Sequence, residues 1–540
     1  MKKIFKKVLV SASSIMIASS MFLTSNAGIN AQELSMTGAM ENYTAEDQFK
    51  ATEPVTFSFL YRDHPNYPLN TEWLFFTKLE EMTNVKLDLT IAPMSDYEQR
   101  RSLLISAGDA PMIIGNTYAG METPFVSSGA ILPISDYLDY LPHFTKRIEE
   151  WGLQEEIDAL RQLDGKFYIL PGLHESIKHD YTLALRTDIL EELGLEEPKT
   201  WEEVHQTLTK IKEAYPDSYP LSDRFKGNSL LNYMASSYET VAGWGFGQGV
   251  VFNKEEDKFE YAPTTQNYRD MLQVLSSMMK DGLIDPESFT QEDDQAIQKL
   301  ANEKSFAIST NSQNLFEYRS ALDATVGEGN YEIKKIMNPS SPYGDQVGGT
   351  RLENGIMISA KAVESPNFVA LLQFVDWLYY SDEGQEFARW GVEGVTYNKD
   401  ENGKRTLSEN VDWAGLNPKG EEQLNADYGF SNGVFTYGGK AELIQSVMVE
   451  EEIEFQKLMN ENKTLPDIAP AWPLEESVRE QFTLLATPLK DATDQATLQF
   501  ILGNRSLEDY EMFIEELKGL GLDQYMEMVN TAYQNAKNVE

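Results

Sequence analysis

"QLDGKFYILPG", Gln162–Gly172, decides how the rest of the chain is read. Asp164-Gly165 marks a turn, Phe167 to Leu170 is a short apolar run, and Pro171-Gly172 stops it. Buried strands ordinarily come in sets, so one strand punctuated at both ends asks what lies on either side of it. Upstream, "VTFSFLY" from Val55 alternates like a strand, and "TEWLFFTKLEEMTN" carries apolar residues at helical spacing. "VKLDLTIA" alternates again, "DYEQRRSLLISAG" is helical and ends on Gly108, and "PMIIG" is a short buried strand. Strand–helix–strand–helix–strand predicts parallel pairing with helices on the sheet faces.

Downstream a second such unit begins. "YTLALR" is a strand, "TDILEELGL" a helix closed by Gly194, and "KTWEEVHQTLTKIKEAY" opens on a capping box of Thr200 and Glu203. A hairpin-like piece, "GVVFNKEEDKFEYA", interrupts the helices that follow. "SFAIST" at 305–310 and "NGIMISAKA" at 354–362 are two further lone strands, and beyond Pro366 the chain reads as mostly helical, with "NFVALLQFVDWLYY" its most apolar helix. No period of roughly 20–50 residues repeats, which argues against solenoids and propellers. Lone strands at changes of segment type imply a chain that crosses between two lobes more than once.

Bulk properties narrow the class. The chain has 540 residues, enough for two or three domains, and 41% apolar content, typical of a folded protein. Its 86 acidic residues against 45 Lys and Arg give a net charge of -41. So acidic a surface argues against nucleic acid or anionic membrane as partner. Residues 1–31 read as a signal peptide: "MKKIFKK" is basic, "VLVSASSIMIASSMFLTS" is apolar and small, and cleavage sites end at Ala27 and Ala31. Removing them takes four lysines and no acid, deepening the charge to -45. Export is therefore expected. The chain has no cysteine, so disulfides, thiol catalysis and Cys-ligated metals are excluded.

No motif demands a cofactor. "HESIKH" spaces its histidines one residue too far apart for a helical zinc pair. "NKDENGKRTLSE" offers Asn398, Asp400, Asn402 and Glu409 at calcium-loop positions, but Lys404 and Arg405 sit among them, and "VTYNKDENGKRTL" reads better as a hairpin. "GWGFGQG" at 243–249 sets aromatic rings on a permissive backbone, either as a flexible loop or as a platform for a flat ligand face. "EEEIE" at 450–454 reads as a solvated helix face, and no carboxylate pair is singled out for glycoside hydrolysis.

Four segments in order carry a resemblance. "LLISAGDAPMII", "LDGKFYILPG", "LRTDILEELGLEEPKTWEEVHQTLTKIKE" and "LLQFVDWLYYSDEGQEFARWGVEGVTYN" resemble the extracellular solute-binding proteins of carbohydrate ABC importers, above all their alginate-oligosaccharide-binding subgroup. The resemblance runs from about Val55 to the C-terminus. It implies an α/β, two-lobed, periplasmic-binding-protein-like (type II) fold, each lobe a sheet flanked by helices, joined by about three hinge crossings.

The boundaries expected are a flexible leader over 32–52, lobe one over 53–165 plus 305–362, and lobe two over 170–303 plus 364–540. The hinges are expected near 165–172, 303–310 and 360–366, with "SFAIST" and the end of "NGIMISAKA" beside the opening strand. The implied function is capture of an oligosaccharide between the lobes and its delivery to ABC permease subunits, by a monomeric, non-enzymatic protein. A ligand-sensing partner of a membrane receptor and a secreted polysaccharide-degrading enzyme are the alternatives. The subgroup's calcium loop is replaced here by "YPDSYPLS", so no calcium is expected there, and Ser312 takes about the position of the subgroup's sugar-stacking Trp, replacing a stacking wall by hydrogen-bonding groups and speaking against alginate itself. The absent cysteine also removes the lipid-modified residue that anchors many such proteins.

Sugar rings need aromatic plates and planar polar groups in a cleft. Strand ends and the resemblance nominate Tyr61, Asp63, Trp73 and Tyr118 in the first lobe, and Tyr181, Arg186, Asn311, Gln313 and Arg351 at the crossings. Trp244 and Phe430 are the expected platforms of lobe two, and the two arginines are expected to pair with a uronic carboxylate or, equally, to bond neutral hydroxyls.

Overall fold

The structure, a computed structural model, describes residues 34–65 and 67–537. The signal peptide expected over 1–31 lies outside the described residues. Two separate apolar cores define two lobes.

Lobe one is built on a five-stranded sheet. It contains β1 (Val55–Asp63), β2 (Val85–Pro93), β3 (Ile113–Thr117), β4 (Leu170–Leu173) and, from much later in the chain, β10 (Leu352–Ile358), in the order β2-β1-β3-β10-β4. β1 pairs in parallel with β2 and β3, as the strand–helix alternation predicts, while β10 runs antiparallel to β3 and β4. Lobe two carries a smaller sheet. There β5 (Thr182–Arg186) is flanked by β8 (Ala307–Thr310) and β9 (Ile333–Lys335), both antiparallel to it. The predicted hairpin between them in sequence is present as β6 (Val250–Asn253) and β7 (Lys258–Tyr261).

The local signals hold where they rest on short-range chemistry. Thr200 accepts from Glu203 N and closes the capping box at the start of helix Trp201–Ala214. Helix Phe368–Tyr380 is buried at every position, as its unbroken apolar run requires, and forms the centre of lobe one. Its Asp376, pushed up to about 7 by burial, accepts the backbone N–H groups of His143 and Phe144 and the hydroxyl of Tyr43. Tyr43 belongs to the leader expected to be flexible. Residues 34–52 are instead packed on lobe one, with Phe49 and Ala51 buried and Met40 hydrogen-bonded to Gln373.

The crossings fall elsewhere than expected. "SFAIST" forms β8 inside lobe two rather than lying beside the opening stretch, because its backbone completes the ladder of β5. Residues 368–390, expected in lobe two, pack into the core of lobe one, and helix Glu476–Ile501 packs into that of lobe two. The chain leaves lobe one over 174–181, returns over 336–351 and leaves again after helix Ala441–Gln445. These passages touch: a Cβ on Gly349 would lie 3.0 Å from Leu465 and 3.2 Å from Ile177.

Candidate functional site

Between the lobes lies a cleft of about 2230 Å³. Three features of the opening stretch and its pairing partner place its floor. Gly165, at φ +75°, makes the Asp-Gly turn, and Phe167 and Ile169 are buried without joining the ladder. The strand proper starts at Leu170 and contains Pro171 and Gly172, the residues expected to end it. Pro171 is tolerated because β4 is an edge strand. Gly172 is needed because a Cβ there would come within 2.5 Å of Tyr437. The chain then turns into the cleft at His174.

His174 Nε2 lies 3.0 Å from Glu353 at the start of β10, and the same carboxylate accepts Gly438 N at 2.8 Å. Burial raises the Glu353 pKa, but the hydrogen bond and charge of His174 and the Gly438 N–H outweigh it and hold it at about 2. An ionised acceptor is thus fixed on the cleft floor.

The predicted residues divide into two groups. Tyr118, Tyr181, Asn311 and Gln313 line the cleft. Tyr118 follows β3, whose end is held by Asn116 in the left-handed region at φ +48°, with Asn116 N bonded to Tyr437 Oη and its amide to Gly433 O. Asn311 caps helix Ser312–Thr325 by accepting from Asn314 N. Tyr181, pushed up to about 12 by burial, packs edge-on against Trp244, with ring centroids 5.1 Å apart. Trp244 is 48% exposed beside cleft-lining Gly245, and Phe225 closes the aromatic triangle at 4.9 Å.

The other nominated side chains are engaged outside the cleft. Tyr61 is buried against Phe435 in lobe one, and Asp63 accepts Leu69 N to shape the loop after β1. Trp73 is buried and donates to Ala426 O, while Phe430 fills lobe one's core against Phe75 and Phe387 rather than forming a lobe-two platform. Arg186 sits at the end of β5 away from the cleft, held by Asp188 at 2.6 and 2.8 Å. Arg351 points away too, onto Glu156 and the Trp151 and Gly152 carbonyls. Both arginines are consumed by the fold.

The residues of the doubtful calcium loop form the alternative hairpin. β11 (Tyr397–Lys399) pairs with β12 (Arg405–Leu407), and Gly403 turns at φ +79°. Asp400 accepts Asn402 N and Lys404 N across the turn, so one of its oxygens serves the backbone. Neighbouring Asn398 lies on β11, Asn402 in the turn, and exposed Glu409 beyond β12. Among the described residues, no group of three or more His, Asp or Glu is placed to hold a metal ion.

Several cleft residues escaped the sequence reading. Phe252 on β6, Phe316 on helix Ser312–Thr325 and Trp413 on a lobe-one loop add aromatic surface, and Asn232 and Gln346 add amides. "VDWAG" around Trp413, an aromatic in a turn, was the available signal. The lobes also touch beyond the crossings. A Cβ on Gly415 would lie 2.8 Å from Phe316 Cε1, and Arg479 of helix Glu476–Ile501 donates to Thr123 O at 3.2 Å. The arrangement is a polar slot with scattered aromatic plates, enclosed from both sides.

Comparison with known proteins agrees with this geometry. A family model described as bacterial extracellular solute-binding protein matches residues 75–402. The chain is 26% identical over 374 residues to the fructooligosaccharide ABC transporter substrate-binding protein FusA of Streptococcus pneumoniae serotype 4, covering 65% of this chain and 68% of that one. It is 21% identical over 474 residues to the polygalacturonan/rhamnogalacturonan-binding protein YtcQ of Bacillus subtilis, covering 85% and 88%. Among solved structures, alginate-binding protein AlgQ2 without calcium ion superposes with a TM-score of 0.68 at 18% identity, covering 90% of this chain and 99% of that one. An HMO-binding, ABC-transporter-associated solute-binding protein of Bifidobacterium longum infantis gives a TM-score of 0.70 at 16% identity, with 90% of this chain and 99% of that one covered. The fold is the two-lobed type II fold of solute-binding proteins.

Proposed function

The chain belongs to the bacterial extracellular solute-binding proteins, and on that premise we propose that it captures an oligosaccharide between its lobes and delivers it to an ABC permease. The observation that carries this reading is the cleft itself. Its volume of about 2230 Å³ exceeds the roughly 300–1,000 Å³ of a small-molecule pocket and suits several sugar rings. Its walls combine aromatic faces with amides and carboxylates, the groups that sugar faces and hydroxyls require.

The mechanism follows from the two-lobed build. The sugar meets Tyr118 and Trp413 from one lobe and Tyr181, Asn311 and Gln313 from the other. A ligand that bridges both walls binds the closed arrangement better and shifts the population toward it. The permease then recognises the closed surface. The protein acts as an exported monomer and releases its ligand chemically unchanged. Among the described residues no helix is long and apolar enough to cross a membrane.

A thermal-shift screen against oligosaccharides of defined length tests the reading. A ligand at about 100 times its Kd stabilises the folded state by ~2.7 kcal/mol. A rise in the unfolding midpoint with saccharides and no new product by chromatography is expected. Shifts with peptides alone would sink the carbohydrate reading, and released sugar fragments would establish the enzyme alternative.

A further inference from the structure

The charges in the cleft discriminate between sugar classes, an inference that rests on the oligosaccharide-binding reading and narrows it. Nine of the lining residues are Asp or Glu and three are Lys or Arg. Two of the three cations already face anions of the protein, and the third is exposed. Lys254 pairs with Asp467. Arg389 donates to Gly438 O and keeps Nε without a hydrogen-bond partner, but Glu353 already supplies the negative charge acting on it. Lys178 is exposed on the first crossing, and its charge also acts on Glu353. Just behind the wall, Arg224 is fixed by Glu317 at 2.8 Å and Asp293 at 3.0 Å. In contrast, Glu239, Glu255 and Asp412 line the cleft and form no ion pair among the described residues.

We infer that this cleft selects uncharged oligosaccharides and rejects uronic ones of the same length and linkage. A neutral ring offers hydroxyl donors, and each cleft carboxylate accepts them in charge-assisted hydrogen bonds. A uronic ring brings one carboxylate that loses its water and meets acceptors of its own sign. The one guanidinium on the wall, Arg389, is turned onto Gly438 O beside the charge of Glu353, and Arg186 and Arg351 are bound to Asp188 and Glu156 on other faces. The acid-rich wall therefore works as a filter as well as a binding surface.

Titration calorimetry on the protein with matched pairs tests this: galacto-oligosaccharides against oligogalacturonides, and manno-oligosaccharides against oligomannuronates. At least one neutral member is expected to bind about tenfold or more tighter than its uronic counterpart at low salt, with the gap narrowing as added salt shortens the screening length. A uronic member that binds as tightly as its neutral counterpart, or tighter, overturns the inference while leaving oligosaccharide capture standing. Binding of neither class, with other neutral oligosaccharides of fructose and glucose also silent, overturns both. Glu239→Lys is expected to narrow the neutral-to-uronic gap, and an unchanged gap in a folded variant would refute the electrostatic origin.

Discussion

At the scale of the residue, the cleft floor depends on a few close approaches and one fixed charge. Gly172→Ala drives a methyl group into Tyr437 and should lower stability by about 1–3 kcal/mol, read from the urea midpoint. An unchanged midpoint would mean that β4 moves freely against Tyr437. Glu353 makes a pH prediction with a definite sign. Its folded pKa of about 2 lies below the ordinary 4.5, so its contribution is complete above about pH 5 and is lost as pH falls toward 2. The melting-temperature advantage of the natural protein over Glu353→Gln should accordingly shrink between pH 5 and pH 2.5; a constant difference would separate His174–Glu353 from acid stability. Tyr118, Tyr181, Asn311 and Gln313 reach the cleft wall because each follows or precedes a strand edge that faces the other lobe, a place legible in the sequence. The same rule misplaced Trp73 and Phe430, since a large aromatic beside a strand end serves the core as well as a ligand.

At the scale of the element, the third crossing is tied to lobe two by a buried ion pair. Lys335 on β9 donates to both oxygens of Glu452 on helix Glu450–Asn462 at 3.0 Å, and lies 3.8 Å from the Phe455 ring. Gln456 on the same helix bonds the backbone of His179, joining the first crossing to the third. Glu452→Gln leaves a buried ammonium without its counter-charge, which should cost about 3–5 kcal/mol, whereas Lys335→Met with Glu452→Leu should be close to neutral. Chemical denaturation of the single and double variants distinguishes these outcomes, and equal losses would point to packing. "EEEIE" has more charges than apolar residues and so the pattern of a solvated face; only the fold turns Glu452 inward onto Lys335.

At the scale of the whole molecule, lobe-to-lobe contacts away from the crossings make closure measurable. Arg479→Ala removes the hydrogen bond to Thr123, and Gly415→Ala adds a methyl group against Phe316 in a turn that already needs φ +78°. Both variants should favour the open form, raising the radius of gyration of the ligand-free protein by small-angle scattering and weakening sugar binding. Unaltered scattering in both would show that these contacts do not set the lobe angle.

The sequence by itself determined the class of architecture. Strand–helix alternation dictated the parallel β1–β2 and β1–β3 pairs, a capping box dictated the start of helix Trp201–Ala214, and a uniformly apolar run dictated the buried helix Phe368–Tyr380. These signals act within a few residues or along one periodic face, so composition and spacing carry them. Only the tertiary structure decided where the chain crosses. Whether "SFAIST" borders β4 or β5 depends on backbone groups more than a hundred residues away, and nothing in a six-residue run distinguishes the two ladders. The same holds for the site. Arg186 and Arg351 have the chemistry to hold a uronic acid, and it is the carboxylates of Asp188 and Glu156, brought close by folding, that take them out of the cleft.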